Sequence, residues 1–150
     1  MPTPTKANQR VQFGVMAEEF SESLVTIANG NSAANDARYK TLIESASTTI
    51  TQLATTLKKN PDFDLVVEDR KELLDGLCDV IVTAIGVGYT QGFDIIGALS
   101  EVSASNDSKF VDGVALFDEN GKIKKGPNFF RPNLDPFLGV DPTIGADLTK

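Results

Sequence analysis

The stretch KELLDGLCDVIVTAIGVG, Lys71 to Gly88, constrains the fold more than any other. Leu73, Leu74, Leu77, Ile81 and Ile85 recur at helical spacing and cover most of the circumference. A helix apolar nearly all round is expected to be a buried one. Yet this one carries Glu72, Asp75 and Asp79, which fall within roughly 60° of one another on a helical wheel. Gly76, Thr83 and Gly86 project near the same line. Buried carboxylates are tolerated only when paired or bound to a cation. Cys78, next to Asp79, reads as a core residue.

Three further helical stretches are expected around it. Ala7 to Asn29 places Phe13, Met16, Phe20, Leu24 and Ile27 on a main apolar face, and NGNSAAND then reads as a loop. A second helix spans about Ala37 to Lys58, with Tyr39, Leu42, Ile43, Ile50, Leu53 and Leu57 apolar. Its threonines lower the intrinsic propensity, so packing must hold it. The third helix covers about Glu68 to Thr90, and Asp94 is placed to cap a fourth over Ile95 to Lys109. Beyond it, VALFDENGKIKKG predicts a hairpin turning at Asn120-Gly121, and PNFFRPNLDPF an extended, proline-locked arm. The expected architecture is all-α: a single domain over residues 1–150, with a flexible leader at 1–6, a four-helix bundle, and a small C-terminal β-hairpin and arm over 111–150.

The first helix repeats the anomaly of the third. Opposite its main apolar face lie Val11, Val15 and Val25, and among them Glu18 and Glu22, with Glu19 on the flank. Taken alone, these acids read equally well as a solvated patch. Packed against the acids of the third helix, they would crowd four or five carboxylates around one point, where like charges repel unless a cation binds. The chain has no histidine and one cysteine. Oxygen-only ligands select hard ions, Mg²⁺ or Mn²⁺, and Ser-His and Cys-His dyads are removed. A net charge of −7 and a pI near 4.5 argue against a nucleic-acid partner. With no charged-then-apolar leader and no uninterrupted apolar run near the ~18 residues that span a bilayer, no membrane partner is expected. A lone thiol fits a reducing, cytoplasmic setting.

Four motifs together resemble a known family: EEFSE (Glu18, Glu19, Glu22), DGLCD (Asp75, Asp79), SASNDSKF (Ser103 to Phe110) and DENGKIKKGPNFFRPNL. They are similar to those of the all-α nucleoside triphosphate pyrophosphohydrolases, the MazG and phosphoribosyl-ATP pyrophosphohydrolase-like group, over most of the chain. The resemblance implies a MazG-like bundle that cuts a nucleoside or deoxynucleoside triphosphate into monophosphate and pyrophosphate. It implies Mg²⁺ or Mn²⁺ held by Glu19, Glu22, Asp75 and Asp79, with Glu18 positioning or deprotonating the attacking water. Glu72 remains in reserve: Glu72-x-x-Asp75 has the family's acidic spacing, whereas Asp79 better matches the aspartate before its apolar run. One departure is that a whole helix separates Glu22 from Asp75, where the family places its second acidic pair a short distance downstream.

Substrate contacts fall to Asn106 and Lys109, one turn apart, and to Lys124 and Lys125. The first pair reads as well as an ordinary helix end, and the second as a solvated hairpin edge. Phe129 or Phe130 is suited to covering a base or to docking on a neighbouring subunit. The resemblance also implies self-association as a dimer or tetramer, with the FFRPNLDPF arm reaching across the interface. A different class of function is a catalytically decayed helical oligomer acting as an interaction or nucleotide-binding protein. A calcium loop at DENG lacks the alternating oxygen ligands and terminal glutamate that such loops use.

Overall fold

Thr5 starts the first helix: its hydroxyl accepts from the Asn8 N–H at 3.1 Å, while the Asn8 side chain accepts from the Thr5 N–H at 3.1 Å. This reciprocal cap satisfies two of the donors that a helix N-terminus leaves unpaired. The computed structural model describes residues 4–28, 33–116 and 123–140. It is all-α, with helices α1 (Lys6–Leu24), α2 (Ala33–Lys59), α3 (Arg70–Thr90) and α4 (Ile95–Asp107) and a 3₁₀ turn at Asp135–Phe137. The chain divides into two compact units, 1–68 and 69–150.

The first unit is an antiparallel hairpin of α1 and α2. Its pairings run in opposite directions along the chain: Arg10 meets Leu57, Gly14 meets Ala54, and Ser21 meets Ser47. The packed face of α1 is therefore Arg10, Gly14, Ala17 and Ser21, and not the Phe13, Met16, Phe20, Leu24, Ile27 row expected from the sequence. The reason is steric. A Cβ on Gly14 would stand 2.9 Å from the Ala54 carbonyl oxygen and 2.6 Å from Lys58 Cγ, so the bare glycine lets the two backbones approach. The seam is also polar in an ordered way. The Ser21 hydroxyl lies 2.8 Å from both Ser47 Oγ and Thr51 Oγ1, and buried Arg10 donates to the Leu57 carbonyl in the last turn of α2. Threonines 41, 49 and 56 bond back to carbonyls four residues earlier, the local bond by which a hydroxyl is accommodated inside a helix. Among the described residues, Ala54 and Leu57 are the buried apolar side chains of the unit.

In the second unit Asp69 caps α3, accepting from the Lys71 and Glu72 N–H groups. Asp94 caps α4 through the Gly97 N–H at 2.9 Å, as its position suggests. Gly92, at φ +78°, turns the chain between the two helices, and Gly88 packs against Ile95. Along the rest of its length α3 has no cover in its own unit. Of its residues only Gly88 is buried, and Ile81 and Val82 are 61% and 66% exposed. The expectation of a buried core helix is not met within its own unit, because α4 touches α3 only near the turn. Cys78, expected in the core, is exposed for the same reason.

The arm lies on its own unit. Residues 129–139 run along α4 of the same chain. Ser105 Oγ donates to the Phe130 carbonyl at 2.8 Å, and the Phe130 N–H donates to Ser108 Oγ at 3.2 Å. The Asn133 N–H bonds Glu101 at 3.0 Å, and the Asp94 N–H bonds the Phe137 carbonyl at 2.9 Å. Phe137 covers Gly97, where any Cβ would collide with its ring. Glu101, Ser105 and Ser108 are spaced i, i+4, i+7, so one face of α4 holds the arm. Ser105→Val is expected to strand the Phe130 carbonyl at a cost of about 1–3 kcal/mol. Limited chymotrypsin digestion should then cut at Phe129 and Phe130 several-fold faster, with helicity unchanged; an unaltered rate would contradict this anchoring role.

The expected hairpin turn at Asn120-Gly121 lies outside the described residues. Its flanks are joined by a bond from the Lys124 N–H to the Leu116 carbonyl. A tight turn that the sequence reading passed over is present at Asp112-Gly113, with φ of +52° and +75°, closed by two backbone bonds between Val111 and Val114. Asp-Gly is the dipeptide that such left-handed turns favour.

Candidate functional site

The seam divides the α1–α2 hairpin lengthwise into two flanks. On a helical wheel Glu18, Glu22, Val11 and Val15 lie to one side of the Gly14 line, and Phe13, Met16 and Phe20 to the other, roughly 100° or more away from it. On α2 Lys58 and Glu44 accompany the acidic flank, and Leu42 and Leu53 the apolar one. Glu18 is half-buried and its carboxylate meets Lys58 Nζ at 2.5 Å across the hairpin. The charge on the proposed water-positioning residue is thus met by a lysine. Glu19 and Glu22 are exposed, and among the described residues neither forms an ion pair or accepts a side-chain hydrogen bond.

On α3 the carboxylates Glu72, Asp75 and Asp79 are likewise exposed and unpaired among the described residues. Gly76 and Gly86, on the same side, face open space. The helix therefore presents a strip that is acidic, bare of bulk and uncovered within its unit. Among the described residues no three Asp, Glu or Cys side chains converge as a metal cage. The α1 acids belong to the first unit and the α3 acids to the second. α3 is also long and apolar enough to cross a membrane by length and composition, although Asp75 and Asp79 interrupt it.

The structure brings Asn106 and Lys109 together at the end of α4: Lys109 Nζ donates to Asn106 Oδ1 at 2.7 Å. Lys125 stands with its ammonium 4.5 Å from the centre of the Phe129 ring, a cation–π arrangement. Gly126 passes close to the end of α4, since a Cβ there would lie 3.3 Å from the Lys109 carbonyl oxygen. Lys109 and Lys125 are thereby held in one neighbourhood of the second unit, and Lys124 adjoins them in sequence. Phe129 is engaged with Lys125, whereas Phe130 is held through its backbone and is 42% exposed. The residues that the sequence reading missed are Ser105 and Ser108. Both fall inside the SASNDSKF motif, and their i, i+3 spacing on a helix that precedes a proline-rich arm was the available signal.

Compared with known protein families, curated proteins and solved structures, the chain matches none. The resemblance therefore rests on its own four motifs.

Proposed function

We propose that the protein hydrolyses a nucleoside or deoxynucleoside triphosphate to the monophosphate and pyrophosphate, as a MazG-like helical bundle with a C-terminal β-hairpin. The observation that carries this reading is the pair of acid strips, Glu18-Glu19-Glu22 on α1 and Glu72-Asp75-Asp79 on α3, in a chain with no histidine. The donor set fits a hard cation: Glu19, Glu22, Asp75 and Asp79 are oxygen donors, exposed and unclaimed by any described lysine or arginine. Glu72 is the substitute for Asp79. Bound Mg²⁺ or Mn²⁺ would screen phosphate charge and favour ionisation of a water near it.

The rest falls to the chain's own groups. Glu18 orients the attacking water, and Lys58 holds its carboxylate in one rotamer across the hairpin. Lys109, fixed by Asn106, meets phosphate oxygens as a point charge. Lys124 and Lys125 add positive charge beside it in an otherwise acidic protein. The protein acts in the cytoplasm as a homodimer or tetramer, without nucleic-acid or membrane partners. Three carboxylates within α3 disfavour a bilayer-spanning role, and the α3 surface left uncovered in its own unit favours a subunit contact.

A panel of canonical and modified triphosphates with Mg²⁺ tests the reading, scored for pyrophosphate and monophosphate. Release of orthophosphate and diphosphate would show that a different bond is cut. Mg²⁺ or Mn²⁺ alone should also raise the melting temperature, because ligands that bind only the folded chain stabilise it. A second reading, a catalytically decayed helical oligomer, is favoured by the Glu18–Lys58 pairing, which satisfies an acid with no cation. Metal-independent melting together with no turnover on any triphosphate would support it.

A further inference from the structure

We propose that Phe129 is a positioning residue, whose ring holds the Lys125 ammonium ready for a phosphate oxygen. Of the adjacent Lys124 and Lys125, it is then Lys125 that makes the contact. This role rests on the reading above, in which lysines of the second unit meet the triphosphate. A free lysine is a poor ligand, because its four-carbon stem samples many rotamers and forfeits that freedom on binding. Lys125 is spared part of this loss. Its ammonium already stands 4.5 Å from the centre of the Phe129 ring, drawn by the negative face of the aromatic system.

The kind of partner decides what such a lysine can do. Among the described residues, every lysine ion pair lies in the first unit: Lys6–Asp64, Lys40–Glu44 and Lys58–Glu18. In the second unit the ordered lysines have neutral partners, the Asn106 amide for Lys109 and the Phe129 ring for Lys125. A carboxylate would cancel the charge, whereas an amide or a ring orients the ammonium and leaves its charge for an anion. Lys124 meets no ring and no acid among the described residues. The Phe129 ring is itself anchored. Its N–H bonds the Gly126 carbonyl at 3.1 Å, closing a turn in which Pro127 takes the position that proline favours. One end of that turn is fixed at Gly126, where a Cβ would lie 3.0 Å from Val111 Cγ2 and 3.3 Å from the Lys109 carbonyl oxygen. The other end is fixed at Phe130, whose N–H and carbonyl are held by Ser108 and Ser105. Half-buried Phe129 is therefore set against the same end of α4 that carries Lys109.

Amine acylation of the full chain, read lysine by lysine in a mass spectrometer, tests the positioning without a substrate. In Phe129→Leu, Lys125 should acylate about two- to fivefold faster, the factor that an exposed cation–π contact is worth. Phe129→Tyr should restore the wild-type rate, and Lys59 and Lys71 should not change. Inorganic tripolyphosphate with Mg²⁺, which has no base to stack, supplies the second readout by calorimetry. Phe129→Leu should weaken its binding by about the same factor, and Lys125→Ala should weaken it more than Lys124→Ala does. With Lys125 already alanine, Phe129→Leu should cost nothing further, because the ring acts only through that lysine. An unchanged Lys125 acylation rate in Phe129→Leu would overturn the proposal, and so would additive losses in the double variant. Faster acylation with tripolyphosphate binding untouched by both Lys109→Ala and Lys125→Ala would overturn it differently, by removing the lysines from the phosphate site and with them the reading on which it rests.

Discussion

Glu22→Gln and Asp79→Asn are each expected to lower pyrophosphate release by at least about a hundredfold, exceeding the loss usual when only the support of a metal ligand is disturbed. Both remove a charged oxygen donor and keep the shape. Neither should unfold the chain, because both carboxylates are exposed and unpaired among the described residues. In the absence of metal each should slightly raise thermal stability. Glu18 and Glu22, like Asp75 and Asp79, are like charges one helical turn apart, and such pairs are mildly destabilising. Steady-state kinetics with saturating Mg²⁺, alongside melting curves with and without the ion, would separate these effects. Near-normal turnover in both variants would remove these residues from the site. Glu72→Gln against Asp75→Asn then tells which acid completes the set.

Gly14→Leu is expected to loosen the first unit, and glycine substitutions on α3 to do the opposite. At Gly14 even a Cβ meets the Ala54 carbonyl oxygen at 2.9 Å and Leu57 Cβ at 3.2 Å, and the backbone of α2 cannot rotate aside as a side chain does. Overpacking of this kind costs about 1–3 kcal/mol, offset in part by roughly 0.8–1 kcal/mol of helix propensity gained on replacing glycine. The net loss corresponds to a fall of about 5–10 °C in the melting of a unit of this size. Gly76→Ala and Gly86→Ala meet nothing within 4 Å, so the propensity gain of about 0.8–1 kcal/mol each should appear undiminished. Chemical denaturation followed by circular dichroism reads both signs. A stable Gly14→Leu protein would mean that the helices of the hairpin do not meet at this seam. A destabilised Gly76→Ala protein would mean that α3 is covered there by something outside its own unit.

The helices themselves were legible because their signals are local. Asp94 was legible as a cap because a short side chain just before a helix bonds N–H groups two or three residues on; Thr5, which reads as part of a flexible leader, and Asp69, which reads as lying inside the third helix, turn out to cap in the same way. The Asn106–Lys109 contact belongs to the same class, being one helical turn. The all-α class follows from apolar residues recurring at a period near 3.6.

Which face of each helix packs was decided only in three dimensions. Counting large apolar residues selects the Phe13–Phe20 row of α1, yet the hairpin closes on Gly14, Ala17 and Ser21. Close backbone approach with the Ser21–Ser47–Thr51 hydroxyl network wins over side-chain bulk there, and a hydropathy pattern cannot register a glycine as a contact. The arm follows the same logic: its prolines announce extended chain, but Ser105, Ser108 and Glu101 decide where that chain lies, through bonds spanning more than twenty residues. The sequence alone determined four helices, the Asp94 cap, and two acid strips in a chain without histidine, because each depends on neighbours within a turn or two. Only the tertiary structure decided that a small-residue seam parts the acids of α1 from its phenylalanines, because that depends on how near two backbones can come.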